Sequence, residues 1–207
     1  MSIPDDLTAW RRAQRADLLV RRMAVPAHQH RLWSEAITAQ LLEGFPALKK
    51  SVIGFYWPFK AEFDPRFAIH QLRQAGARAA LPLVLQKNAP LEFRAWWPGA
   101  PMARGVFNLP IPNGTEVVQP DALLIPPLGF DAQGYRLGYG GGYFDRTLAA
   151  LPPGTLKIGV GFELCRIPTI HPRPYDIPMD YIVTEAGIHR VEQQRLHIIA
   201  PWQPKRL

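Results

Sequence analysis

The residues best placed to do chemistry lie in the run LGFDAQGYRLGYGGGYFDR, positions 128–146. Four glycines, Gly138, Gly140, Gly141 and Gly142, fall within five positions between an apolar segment and a helical one. Glycine lacks a Cβ, so the backbone there can take positive φ and turn its N–H groups towards a ligand. Exposed amides that lead into a helix N-terminus form an anion site. Arg136 stands two positions before the glycines and can pair with phosphate oxygens. Asp145 falls in the first turn of the helix, where a carboxylate either holds Mg²⁺ against phosphates or complements the helix N-terminus. Tyr139, Tyr143 and Phe144 give the loop an aromatic surface that suits a flat heterocycle as well as it suits core packing.

Neither common phosphate-loop pattern fits. A Walker loop needs Gly-x4-Gly-Lys-Ser/Thr, but five positions after Gly134 stands Tyr139, and no lysine follows. A dinucleotide loop needs a third glycine three positions after the second, and counting from Gly138 and Gly140 that position is Tyr143. On the glycines alone, a tight strand-to-helix turn without a ligand stays open. No Ser-His-Asp set is visible. The single cysteine, Cys165, follows an apolar segment and reads as a packed thiol. The six histidines show no metal-ligand spacing and read as surface or capping residues.

A scaffold must hold these residues. Asp5 and Asp6 open a helix to about Met23 that carries Arg11, Arg12, Arg15, Arg21 and Arg22, by itself a solvated basic face. A second helix is predicted over 27–43, with Gly44 as its stop. Short β-branched and aromatic runs predict strands at 51–57, 77–84, 91–97, 121–127, 157–163 and 180–185. Pro82 argues that its strand lies at an edge or ends there. Asp64-Pro65 reads as the start of a helix ending before Gly76, and another helix begins near Gly142. Residues 98–120, rich in Pro and Gly, read as a long ordered surface loop. Strands alternating with helices favour a layered α/β sheet in one domain over 1–207.

Composition bounds the partners. Twenty-four Lys and Arg against 17 Asp and Glu give 207 residues a net charge of +7, which points to an anionic partner. No apolar run is long enough to span a membrane, and the N-terminus has acidic residues where a signal peptide is basic. A cytoplasmic location is expected, with no membrane partner. A basic nucleic-acid-binding module is the rival, but no nucleic-acid motif is present.

The segment 128–146 resembles the signature of the 5-formyltetrahydrofolate cyclo-ligase (methenyltetrahydrofolate synthetase) family. RRAQRADLLVRR resembles the family's N-terminal Lys/Arg-x3-Arg element, and YWPFKAEFD its Tyr-x-Pro-x3-Glu-x-Asp segment. ALPLV, LEFRAWWPG, PDALLIPPLGFD and IPMDYIVTE match in the same order.

The resemblance implies a single three-layer α/β domain with a mixed, mostly parallel sheet, NagB/RpiA/CoA-transferase-like. It implies an ATP- and Mg²⁺-dependent ring closure of 5-formyltetrahydrofolate to 5,10-methenyltetrahydrofolate, with release of ADP and phosphate, by a monomer that needs no nucleic acid. By position, Arg11, Arg15, Arg136, Leu137, Gly138, Tyr139, Gly140, Gly141, Gly142, Tyr143 and Phe144 match the ATP site, Arg136 and Tyr143 being the expected catalytic pair. Trp57 and Glu62, with Tyr139 and Tyr143, match the folate site, and Asp145 and Asp180 the metal carboxylates. Two departures stand out: Arg11 where the family often has Lys, and Arg173 where Glu is expected. A family-fold ATP-binding protein acting on another compound is the nearer alternative.

Overall fold

The structure is a computed structural model that describes residues 3–203. Helix α1 (Leu7–Met23) is capped by Asp6, whose side chain accepts from Ala9 N at 2.9 Å. Helix α2 (Ala27–Gly44) follows Pro26. Then come β1 (Val52–Gly54), α3 (Arg66–Gln74), β2 (Arg78–Leu83) and β3 (Glu92–Trp96). A small hairpin, β4 (Met102–Arg104) and β5 (Pro110–Pro112), precedes β6 (Ala122–Ile125). A second hairpin, β7 (Gly129–Phe130) and β8 (Arg136–Leu137), leads into α4 (Tyr143–Ala150). The chain ends in β9 (Leu156–Val160), β10 (Tyr181–Thr184), β11 (Gly187–Glu192) and β12 (Arg195–Pro201).

The main sheet has eight strands in the order β12-β11-β10-β9-β6-β1-β2-β3. β10, β9, β6, β1 and β2 run parallel; β3 on one side and β11 on the other pair antiparallel to them, and β12 pairs antiparallel with β11. Period-two alternation divides the strand side chains between two cores. Ile53, Leu124, Ile158 and Val183 face α2 and α3, packing with Ile37, Leu41, Ile69 and Leu72. Leu123, Ile125 and Ile182 face the other way, towards Leu18 of α1 and Leu148 of α4. All four residues of β6 are buried, as a strand covered on both faces must be. Each fully buried aliphatic side chain contributes roughly 1.5–3 kcal/mol, so both helix layers are held by the sheet itself. The result is three layers with a mixed, mostly parallel sheet.

From β1 the chain moves outward to β2, then returns to β6 on β1's other side. Ligands of open α/β sheets bind at such a switch point, beyond the carboxyl ends of the strands. Pro82 fits the strand-end reading: β1 pairs only as far as Ala80, so on that side Pro82 has no ladder bond to give. The passage 98–120 is more than a loop, since it holds the β4–β5 hairpin. β11 and β12 carry no clear alternation of burial and were not legible in the sequence. Among the described residues, no helix is long and apolar enough to cross a membrane.

Candidate active site

A cleft of about 620 Å³ opens at the carboxyl ends of β1, β2 and β6, where Trp57, Pro82 and Pro126 reach it. One wall is cationic. Arg136 lies on β8, 6% exposed, beneath the glycine loop. Its Nη2 is ion-paired with Asp145 Oδ1 at 3.0 Å, and its Nε has no hydrogen-bond partner among the described residues. Burial lowers the Arg136 pKa, and Asp145 and Asp176 oppose that by raising it. A buried guanidinium with unmatched donors is costly unless an anion completes it.

Arg15 reaches across from α1 and donates from Nε to the Gly138 carbonyl at 2.7 Å. Burial lowers its pKa first, and the neighbouring cations Arg11 and Arg173 lower it further. Gly140 and Gly142 have φ of +98° and +64°, a backbone that side chains rarely adopt. Gly142 stands at the N-cap of α4 with no side-chain cap, so the helix's first amides stay available. Tyr143, Phe144 and Asp145 line the cleft from that first turn. Phe144 also carries the Arg136 guanidinium over its ring, 5.3 Å from the centroid.

The opposite wall is the turn after β1. Glu62 is 6% exposed; its Oε2 accepts from Phe59 N at 2.9 Å and its Oε1 from the Tyr139 hydroxyl at 3.0 Å. Burial raises its pKa to about 7, against the lowering effects of Arg22 and the two hydrogen bonds. Trp57 lines the same wall with the Arg66 guanidinium 4.6 Å over its ring. Tyr56 is buried, donates to the Phe63 carbonyl at 2.9 Å, and has its pKa pushed up by that burial.

The structure thus brings Arg11, Arg15, Trp57, Glu62, Arg136, the stretch Leu137–Phe144 and Asp145 to one cleft. Arg11 arrives with its donors already engaged: Nε on the Ile170 carbonyl at 3.1 Å, Nη2 on the His171 carbonyl at 2.9 Å and on Asp176 Oδ2 at 2.5 Å. Arg12 is exposed and lies outside the cleft lining. Asp180 lies outside the cleft lining. It precedes β10 at the amino end of the parallel strands, pairs with Lys157 Nζ at 2.8 Å and accepts from Lys157 N at 2.8 Å. The carboxylate that does reach the cleft beside Asp145 is Asp176. Arg173 also lines the cleft, bonded to Tyr175 and Thr8.

Three features escaped the sequence reading. The β4–β5 hairpin lends Val106, Leu109 and Ile111 to the cleft. Arg22, read as part of a solvated face, is 2% exposed and bonded to Tyr139. His189 is not a surface residue but buried at 6% exposure, with Arg166 3.0 Å from its Nε2. Apolar spacing on α1 signals Leu18, but nothing in that spacing marks a buried arginine.

The sequence model of the 5-formyltetrahydrofolate cyclo-ligase family matches residues 7–185, the span that contains every cleft residue named above. The chain belongs to that family. It is similar to the 5-formyltetrahydrofolate cyclo-ligase of Escherichia coli (strain K12), 27% identical over 175 residues covering 81% of this chain and 96% of that one. The Mycolicibacterium smegmatis cyclo-ligase is 29% identical over 178 residues, covering 82% and 91%. Its fold is similar to the Aquifex aeolicus 5,10-methenyltetrahydrofolate synthetase, with a TM-score of 0.77 and 28% identity over 88% of this chain and 93% of that one. The Mycoplasma pneumoniae synthetase gives a TM-score of 0.69 at 27% identity, covering 84% and 98%. Cyclo-ligase membership makes the chain a ligase.

Proposed function

We propose that the chain closes 5-formyltetrahydrofolate to 5,10-methenyltetrahydrofolate with cleavage of ATP to ADP and phosphate. The observation that carries the ATP half is Arg136, a buried guanidinium whose Nε donor is unmatched and whose Nη2 is held only by Asp145, under the glycine loop. Phosphate oxygens supply what those donors lack. Arg15 adds a second cation on the same loop. The folate half rests on Glu62, whose carboxylate suits the paired N–H groups of a pterin, and on the flat face of Trp57 beside it.

The reaction asks for positioning and charge neutralisation more than for acid–base work. The formyl oxygen attacks the γ-phosphorus, and ADP leaves with the electron pair of the broken P–O bond. N10 then adds to the activated carbon and gives up its proton, and phosphate departs carrying that proton and the former formyl oxygen. Arg136 and the α4 amides stabilise the charge on the transferring group. Tyr143, at the first helical position, lines the cleft from the α4 N-terminus, where it can contact both ligands. The hairpin residues Val106 and Ile111 add apolar surface to the cleft.

Mg²⁺ is accommodated in the same cleft. The ion needs only one or two carboxylates when phosphates and waters complete its shell. Asp145, 19% exposed in side chain, meets that need, with Asp176 as the second carboxylate in reach of the cleft. No group of three or more potential ligands forms among the described residues, so the phosphates must contribute. The metal would supply neutralisation of the charge on the phosphates.

The test is oxygen tracing. Substrate labelled with ¹⁸O in the formyl group is expected to yield ¹⁸O-labelled phosphate in step with product. Unlabelled phosphate would exclude the phosphorylated formyl intermediate.

A further inference from the structure

Arg22 is a buried cation that the reaction scheme above does not use. Its side chain is 2% exposed, on the face of α1 that turns inward, and it makes three contacts. Nε donates to the Lys60 carbonyl at 3.0 Å, Nη2 donates to the Tyr139 hydroxyl at 2.5 Å, and Nη2 lies 3.9 Å from Glu62 Oε1. The Tyr139 hydroxyl passes the bond on to Glu62 Oε1 at 3.0 Å.

The turn held this way is strained. Lys60 and Ala61, neither of them glycine, have φ of +48° and +55°. Strain of that kind persists only where the surroundings over-determine it. Arg22 supplies that from α1, and His30 from α2, whose Nε2 lies 3.3 Å from the Ala61 carbonyl and 3.2 Å from the Glu62 carbonyl. The groups facing the Glu62 carboxyl are therefore Arg22 from α1, Tyr56 and the Phe59 N–H from its own turn, and Tyr139 from the glycine loop, with His30 against its backbone carbonyl.

We propose that Arg22 is a positioning residue that fixes Glu62 for folate and, through Tyr139, ties the folate wall to the glycine loop. It does not line the cleft. This rests on the reading that Glu62 meets the folate. Arg22 also favours the ionised form of Glu62, the form that accepts pterin N–H bonds.

The test compares Arg22→Gln, Arg22→Lys and Tyr139→Phe with the parent chain. Arg22→Gln is expected to raise the KM for 5-formyltetrahydrofolate about tenfold or more, as befits losing a charge-assisted contact, with a much smaller change in kcat. The pH at which that KM turns is expected to move upward, and Arg22→Lys to restore part of both effects. A melting curve tells whether Arg22→Gln folds. If it does not, Tyr139→Phe carries the test, since it removes only the hydroxyl of a residue that is 44% exposed. A folate KM unchanged in a folded Arg22→Gln, or folate and ATP KM rising together with no shift in pH profile, would overturn the proposal. Direct folate binding by Glu62→Gln separates the layers. Parent-like affinity there overturns the Glu62 reading and this one together, while weak binding there beside parent-like Arg22→Gln overturns only the role of Arg22.

Discussion

The Tyr139 hydroxyl donates to Glu62 Oε1 across 3.0 Å, joining the glycine loop to the opposite wall of the cleft. Both residues sit where the two proposed substrates would meet. Oε1 is therefore engaged internally before folate arrives, and an incoming pterin N–H competes with a phenol for the same oxygen. Four consequences can be measured.

Glu62 makes stability fall with rising pH. Its ordinary value of 4.5 is raised to about 7 on folding, so between those values the folded state holds a proton that the unfolded state has lost. Fewer protons on the unfolded chain mean falling stability, by roughly 3 kcal/mol across the window. Denaturant titrations at pH 4.5 and pH 7.5 are expected to show Glu62→Gln losing less stability than the parent over that interval. Equal loss in both proteins would show that Glu62 is not the titrating group.

Arg136→Gln removes the guanidinium that the phosphates are proposed to complete. Charge-assisted bonds to such a group contribute about 1.5–3 kcal/mol, so nucleotide affinity is expected to fall roughly 10- to 100-fold. Calorimetric titration with a non-hydrolysable ATP analogue reads this directly. Because Asp145 loses its partner as well, Arg136→Lys serves as the control and is expected to fall between the two.

Asp145→Asn is expected to weaken MgATP use far more than folate binding. Asp180→Asn, outside the cleft lining, is expected to leave both KM values within about twofold, since what it disturbs is the partly exposed ion pair with Lys157 and the bond from Lys157 N. Equal losses for ATP and folate in Asp145→Asn would mean that the side chain holds the loop's shape. A selective ATP loss in Asp180→Asn would restore it to the metal site.

How far the sequence could be read differs along the chain. The glycine loop, Arg136 and Asp145 are neighbours in sequence, so local spacing alone places them together. Glu62 and Trp57 reach the cleft only because β1 lies beside β6, and their pairing with the loop rests on the family resemblance. Asp176 and Asp180 stand four positions apart in one Pro-rich run, and the chain carries them to different ends of the sheet. No spacing rule separates the two. Arg22 was hidden for a related reason: the turn that buries it comes from residues 59–62, which local helical periodicity cannot see. The hairpin within 98–120 has three-residue strands, too short and Pro-rich to register as a strand pattern.

Gly142→Ala tests whether the loop's geometry matters beyond its charge. At φ +64° an alanine costs about 1–2 kcal/mol, and its Cβ would meet, 2.9 Å away, the Arg146 guanidinium that donates to the Gly141 carbonyl. A melting point lower by roughly 2–8 °C is expected, together with weaker nucleotide binding, because the α4 amides shift. A melting point equal to the parent's would show that the loop adopts another backbone at no cost.

The central claim is ATP-dependent ring closure of 5-formyltetrahydrofolate, and the most direct measurement mixes the purified chain with that substrate, ATP and Mg²⁺. Near-ultraviolet absorbance of the methenyl product is expected to rise only when all three are present, with ADP formed in equal amount. No rise in absorbance from a chain that still binds ATP would contradict it.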